Sequence, residues 1–292
     1  MSGPSSQVRL ARRVSCRPMP RVAVFGSTTV DRIRVPGREL LERTGGTPLF
    51  ASRALQALGY TPAVATRCAD AARMREIEAE PLCTAVDETG MCCDLTYNSR
   101  GDRTHQITSL TAPWSVADIE TGFGAPALMD VEWVQVGTQH GGDFDADVLA
   151  ALARGGRKLG LDAQGALRSA TIGPLSLTGT LTPAMLTSVQ ALKLSEEEAL
   201  VAYSTTDAAA IRSQTGVAEV LVTFGEAGAL VADASGAERL RGAVISGVDP
   251  TGAGDSFLAT YCLARSRGSS PVAATAQACD NVAALLQARV EP

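Results

Sequence analysis

From Val22 onward, the chain alternates between two hydrophobic periods. Val22-Ala23-Val24-Phe25-Gly26 is an apolar run too short for a helix and closed by glycine, the pattern of a buried strand. After Thr44-Gly45-Gly46, apolar residues recur on one helical face at Leu49, Ala54, Leu55 and Leu58, and Gly59 supplies a stop. A second apolar run covers Ala63 to Cys68. Strand, helix, strand is the repeating unit of a parallel sheet.

The pattern changes between Leu82 and Thr108. Met91 to Tyr97 and Arg103 to Thr108 read as two strands, with Asn98-Ser99-Arg100-Gly101-Asp102 as the turn between them. They are more polar than core strands, which predicts a small β lid beside the main sheet. Alternation then resumes. Val131 to Gly137, Leu159 to Asp162, Ala191 to Leu194, Glu219 to Val222 and Ala229 to Ala232 read as strands. Asp145 to Arg154 reads as a helix N-capped by Asp145, and Ser195-Glu196-Glu197-Glu198 opens another with a capping box. Two helical patterns follow, Asp255 to Arg267 and Pro271 to Gln287. The expected fold is α/β, a mostly parallel central sheet with helices on both faces. One domain spans 21–292, with lid segments around 32–44 and 82–108 and a disordered leader at 1–20.

Composition narrows the function. With 26 Lys+Arg against 31 Asp+Glu and few aromatics, the chain has neither a basic stripe nor stacking platforms, so no nucleic-acid partner is expected. No apolar run is long enough to span a bilayer, so no membrane partner is expected either. Arg9, Arg12, Arg13 and Arg17 precede no apolar region of a secretory signal. The 7 cysteines form no C-x-x-C or Cys/His ladder, which argues against a disulfide framework or zinc site and for a reducing cytoplasm.

The sharpest segment is Val248-Asp249-Pro250-Thr251-Gly252-Ala253-Gly254-Asp255-Ser256-Phe257. Glycines directly before an amphipathic helix let backbone N–H groups approach an anion, and the helix N-terminus adds partial positive charge. Asp255 in that first turn reads either as an ordinary acidic helix-start residue or as a carboxylate that takes a proton from an attacking hydroxyl. Other motifs fail. No G-x-x-x-x-G-K-S/T loop occurs, the third glycine of a dinucleotide fingerprint is missing, and His140-Gly141-Gly142 has no accompanying G-x-S-x-G.

This segment resembles the C-terminal signature of the ribokinase-like (PfkB) carbohydrate kinases. The resemblance runs from about Arg21 to Gln287 in the family's order. Gly26 and Asp31 are similar to its first strand and substrate-binding Asp, and Thr44-Gly45-Gly46 to its double-glycine motif. Ser195-Glu196-Glu197-Glu198 resembles the N-x-x-E motif, and Thr223-Phe224-Gly225-Glu226-Ala227-Gly228 the T-x-G-x-x-G nucleotide turn.

The resemblance implies a kinase using ATP and Mg²⁺ on a small sugar, polyol or nucleoside, with a homodimer allowed for. It makes Asp255 the base and Gly252, Ala253 and Gly254 the anion hole. Asp31, Gly45 and Gly46 face the acceptor. Thr223, Gly225, Gly228 and Ser195 lie on the nucleotide side, Asn281 near the base, and Glu198 helps hold Mg²⁺ through water. Glu198 reads equally as a plain capping-box acid, Asp31 as a turn residue, and Thr223 and Gly225 as hairpin formers. Ser195 replaces the motif's Asn.

Family members that use a monovalent cation build part of that site from a C-terminal loop. Asp249 and Thr251 match one half, while the other half looks short, so strong potassium dependence is not expected. Leu161-Asp162-Ala163-Gln164-Gly165-Ala166-Leu167-Arg168 resembles a D-x-Q-G-x-x-R stretch of the inositol-kinase-like branch, which adds Gln164, Arg168 and the lid's Arg103 as acceptor contacts. The same residues also read as structural, bonding loops at the sheet's edge. The rival to an enzyme is a non-catalytic, ligand-sensing or partner-binding protein on the kinase fold.

Overall fold

The structure is a computed structural model that describes residues 21–68, 71–77, 79–86, 90–98, 100, 103–122, 130–245 and 248–290. The expected leader at 1–20 and the turn residues Ser99, Gly101 and Asp102 lie outside them. The described chain opens with β1 (Arg21–Ser27), β2 (Thr29–Arg34), β3 (Leu41–Gly45), α1 (Thr47–Ala57), β4 (Ala63–Cys68) and α2 (Ala71–Met74). It continues through β5 (Glu80–Val86), β6 (Met91–Tyr97), β7 (Arg103–Ser109), β8 (Val131–Gly137), α3 (Ala146–Ala153), β9 (Lys158–Asp162), β10 (Gly173–Pro174) and α4 (Pro183–Leu186). Then come β11 (Val189–Ser195), α5 (Glu196–Tyr203), α6 (Ala208–Thr215), β12 (Glu219–Thr223), β13 (Ala229–Asp233), β14 (Gly236–Leu240), α7 (Ala253–Ser266) and α8 (Pro271–Gln287).

Two sheets organise these elements. The larger has nine strands in the order β14-β13-β12-β11-β9-β8-β1-β4-β5. From β12 through β5 its pairings are parallel; β13 and β14 join antiparallel at one edge. Alternation within the strands explains the two-sided cover. Val22 and Val24 of β1 point into a core shared with Leu55 of α1 and with Leu258 and Tyr261 of α7. Ala23 and Phe25 point into the opposite core with Leu149 and Leu152 of α3 and Ile211 of α6. Trp133 and Val134 of β8 divide in the same way. The expected α/β class with a mostly parallel, doubly covered sheet is therefore what the chain adopts.

The smaller sheet has five strands in the order β10-β7-β6-β2-β3. Its apolar cluster is small, with Met91, Cys93 and Ile107 buried and Leu110 packed against them. The polar stretch from Leu82 to Thr108 divides between the sheets. β5 joins the edge of the large sheet, while β6 and β7 form the antiparallel pair of the small one. Pro174 and Gly173 pair with Gln106 and Ile107, adding a strand that has no hydrophobic pattern of its own. The free cysteines Cys68, Cys92, Cys93, Cys262 and Cys279 are all at least partly buried. Among the described residues, no helix is long and apolar enough to cross a membrane.

β1 pairs with β4 on one side and β8 on the other, so strand order reverses between β1 and β8. In open parallel sheets, such a switch point leaves a crevice outside the carboxyl ends of the strands, where ligands bind. Ser27, Gly137, Asp162, Ser195 and Thr223 end their strands on that side.

Candidate active site

Two helices begin at this crevice. α1 starts after Gly46, and α7 starts after Gly252. Gly252 has φ 80°, and a Cβ there would lie 2.1 Å from the ring of Phe50 in α1, so the sharp entry to α7 admits no side chain. Gly46 has φ 91°, and a Cβ there would meet the Ser27 carbonyl at 2.3 Å. The two glycine turns thus bring the helix N-termini against each other and against the end of β1. No side chain caps either end, which leaves first-turn N–H groups for a ligand.

Asp255 occupies the first turn of α7. Its Oδ1 accepts a hydrogen bond from Thr47 Oγ1 at 2.5 Å, directly after Gly45-Gly46. Its main-chain carbonyl accepts from Gln135 Nε2 of β8 at 3.0 Å. Behind it, Lys193 Nζ lies 3.1 Å and 3.2 Å from the carboxylate oxygens of Asp162, with both side chains buried. A Cβ on Gly254 would sit 2.8 Å from that ammonium, so a side chain there would push against the Lys193–Asp162 pair.

These neighbours set the charge state. Burial, followed by the Asp162 charge, pushes the Asp255 carboxyl up to about 6, against the opposing pull of Thr47, Lys193 and Arg168. A carboxylate in this range is deprotonated at neutral pH yet basic enough to accept a proton. Burial alone would push the Lys193 ammonium down. The carboxylates of Asp162, Glu198 and Asp255 outweigh it and hold Lys193 charged.

Asp31 belongs to β2 of the small sheet and accepts from Thr29 Oγ1 at 3.2 Å. A Cβ on Gly45 would lie 2.8 Å from Asp31 Oδ2, so the Asp31 carboxylate leans over the double glycine. Burial pushes its carboxyl up, while Arg168 and Arg43 pull down. The Arg168 charge therefore acts on both Asp31 and Asp255. The series Asp31, Gly45, Gly46, Thr47, Asp255 forms one continuous wall.

A second cavity, of about 300 Å³, opens on the other side of the α7 N-terminus. Thr223, Gly225 and Gly228 line it together with Ala253 and Gly254. Its floor is apolar, with Ile245, Val248, Phe257, Val282 and Leu286, and among its described lining Glu226 is the only charged side chain. Gly254, which lines the cavity, directly precedes Asp255 of the wall.

The remaining expected site residues fall as follows. Asn281 does not face the cavity. Its amide donates to the Ala54 carbonyl at 3.2 Å and to Thr260 Oγ1 at 2.8 Å, tying α8 to α1 and α7. Cys279, Val282, Ala283 and Leu286 present the lining face of α8, and Asn281 lies roughly half a turn away. The Ala253 N–H donates to the Pro250 carbonyl at 3.0 Å, so Gly252 and Gly254 are the donors left from the expected trio. Ser195 is the N-cap of α5, and Glu198 returns its carboxylate to the Ser195 N–H at 2.7 Å, a complete capping box. Gln164 is exposed, its N–H bonded to Asp162 at 3.1 Å. Arg103 begins β7, but its side chain lies outside the described residues. Sequence reasoning missed Thr47 and the Lys193–Asp162 pair. A lysine inside the apolar run Ala191 to Leu194 was the available signal, since a charge there requires a partner.

Residues 169–289 match the model of the pfkB family carbohydrate kinase. No curated protein matches the chain in sequence. Among solved structures, the chain is similar to a pyrophosphate-dependent kinase in the ribokinase family complexed with a pyrophosphate analog and myo-inositol. The two are 20% identical over 91% of this chain and 95% of that one, with a TM-score of 0.77. It is similar to Arabidopsis thaliana ribokinase complexed with ribose and ATP at 17% identity, covering 92% and 93% of the two chains, TM-score 0.70. A ribokinase from Thermotoga maritima gives 16% identity, 93% of each chain and a TM-score of 0.67. The fold is that of these ribokinase-family structures, and the segment 169–289 resembles the pfkB family carbohydrate kinases.

If the Asp31 side of the wall receives the acceptor, Asp31→Ala raises the acceptor KM on the order of tenfold or more and leaves ADP affinity nearly unchanged, because charge-assisted bonds to one substrate are lost. Steady-state kinetics with calorimetry checks this. Equal losses for acceptor and nucleotide would contradict it.

Proposed function

We propose that this protein transfers the γ-phosphoryl group of ATP to a hydroxyl of a small sugar, polyol or nucleoside. The observation that carries the reading is the shared position of Gly254. It borders both the apolar cavity and the wall from Asp31 to Asp255, so a donor and an acceptor seated there meet at the α7 N-terminus.

The acceptor hydroxyl approaches Asp255, which takes its proton as the oxygen attacks phosphorus. N–H groups of Gly252 and Gly254, the helix dipole and the Lys193 ammonium stabilise the charge on the transferring group. Asp31, Gly45, Gly46 and Arg168 orient the acceptor. The small sheet acts as a lid that limits competing water. Thr223, Gly225 and Gly228 border the nucleotide. Mg²⁺, when bound with the phosphates, would supply neutralisation of their charge. Among the described residues no group of three or more His, Cys, Asp or Glu forms a ready cage, and Glu198 would hold the ion only through water. An inositol-like polyol fits best the resemblance carried by Asp162, Gln164 and Arg168.

Similarity to a pyrophosphate-dependent kinase raises the donor as a question. The apolar cavity favours a nucleotide, because its floor suits a purine ring and its only charged described side chain is acidic. Pyrophosphate would want arginine or lysine partners there. The test is a screen of inositols, sugars and nucleosides with ATP or pyrophosphate as donor. ATP is expected to support transfer at least about tenfold faster than pyrophosphate, the scale of losing one set of charge-assisted contacts. Faster transfer from pyrophosphate would overturn the donor assignment. Acceptor-independent ATP binding without transfer would favour a non-catalytic sensor.

A further inference from the structure

The loop that leads into α7 presents two main-chain carbonyls to one cation. Nη1 of Arg289, just past α8, donates to the Asp249 carbonyl at 2.8 Å and to the Thr251 carbonyl at 3.0 Å. The exposed Asp249 side chain closes the loop onto Thr251. Its Oδ1 accepts from the Thr251 N–H at 3.0 Å and the Thr251 hydroxyl at 2.6 Å. Its Oδ2 lies 3.5 Å from Arg43 Nη1 on β3. Burial alone would push the Asp249 carboxyl up, but these bonds and the charges of Arg43 and Arg289 hold it below the usual carboxylate range. The exposed segment immediately before the Gly252 turn thus lies between two guanidinium groups, one from the small sheet and one from the chain's C-terminal side.

Carbonyl oxygens that converge within a three-residue loop beside a carboxylate are ligands of the kind a hard metal cation takes. The resemblance allows for a monovalent cation at Asp249 and Thr251. It does not fit here, because both carbonyls already accept from the Arg289 guanidinium. That group cannot lose its charge and holds its donors in a rigid plane.

We infer that Arg289 is a built-in cation, a positioning residue whose guanidinium takes the place of a bound monovalent ion and orders the Asp249–Gly252 loop for the phosphate-binding turn. This rests on the phosphoryl-transfer reading for its purpose, though not for its geometry. The loop's carbonyls point at a permanent charge, so the α7 N-terminus is set without an exchangeable ion. Removing the side chain vacates a site with two carbonyls and a nearby carboxylate, which a small cation can then enter.

The experiment compares the full wild-type chain with Arg289→Ala and Arg289→Lys in choline, potassium or low-millimolar guanidinium chloride at matched ionic strength. ADP affinity is read by calorimetry and melting temperature by scanning calorimetry. Wild-type ADP affinity is expected to stay within about twofold between choline and potassium. Arg289→Ala should weaken it on the order of tenfold in choline, the scale of lost hydrogen bonds from a charged donor, and regain most of it with guanidinium or potassium. Arg289→Lys should keep most of the affinity. Three results would overturn the inference: a strong potassium requirement in the wild type, an Arg289→Ala variant indistinguishable from it, or a loss that no cation restores. If the wild type binds no ADP, the phosphoryl-transfer reading fails. The melting temperature then decides the inference separately, since guanidinium or potassium must stabilise Arg289→Ala and not the wild type.

Discussion

Asp255→Asn is expected to leave the fold intact and to lower turnover by roughly 10²–10⁴-fold, the usual range for general-base assistance. Asparagine keeps the shape and can still accept from Thr47 Oγ1, and the Gln135 bond to the main-chain carbonyl is untouched. Nucleotide affinity should therefore persist while kcat falls. The raised carboxyl gives a second readout. As the proposed base, Asp255 would have to be deprotonated, so wild-type activity should rise with pH through about 6 and then level. Asp162→Asn removes the second cause of that elevation, so the acid limb should move to lower pH. A limb that stays in place would remove Asp162 from the electrostatics of the base.

Lys193→Met is expected to be the most destabilising single change near the site. Lys193 and Asp162 are both nearly inaccessible, with side-chain exposures of 4% and 6%. Breaking a buried pair by removing one partner leaves an uncompensated charge and typically costs about 3–5 kcal/mol. It also removes a positive charge that pulls the Asp255 carboxyl down, so any surviving activity should have its acid limb above pH 6. The double variant Lys193→Met/Asp162→Asn removes both charges and should recover much of the lost stability in denaturant unfolding. A Lys193→Met variant as stable as the wild type would mean that the pair contributes nothing to the fold.

The large sheet was legible because its strands are short apolar runs punctuated by glycine and its helices carry caps. Asp145 and Ser195 cap where expected, and α8 spans the expected residues. The small sheet was harder. Leu41–Gly45 is half exposed and polar, and an edge strand needs no continuous apolar face; Thr29–Arg34 beside it is buried only at Thr29 and Val30. Gly236–Leu240 at an edge of the large sheet escaped for the same reason. Thr47 carries no local signal, because its role comes from a contact 208 residues away. Motif resemblance placed Asn281 at the nucleotide, whereas helical phase turns it toward Ala54 and Thr260. Ser195 and Glu198 show the opposite ambiguity, since one capping box satisfies both the local pattern and the resemblance.

The central claim is that acceptor and donor meet at Asp255 from opposite sides of the α7 N-terminus. A crystal structure of Asp255→Asn with a non-hydrolysable ATP analogue, Mg²⁺ and the best acceptor from the screen tests it most directly. The account predicts an acceptor hydroxyl about 3 Å from residue 255, the reach of proton transfer. Asp31 should bond the acceptor's other hydroxyls, and the purine should lie between Val248 and Leu286. An acceptor bound away from Asp31, or a nucleotide outside the cavity lined by Gly225 and Gly228, would contradict it.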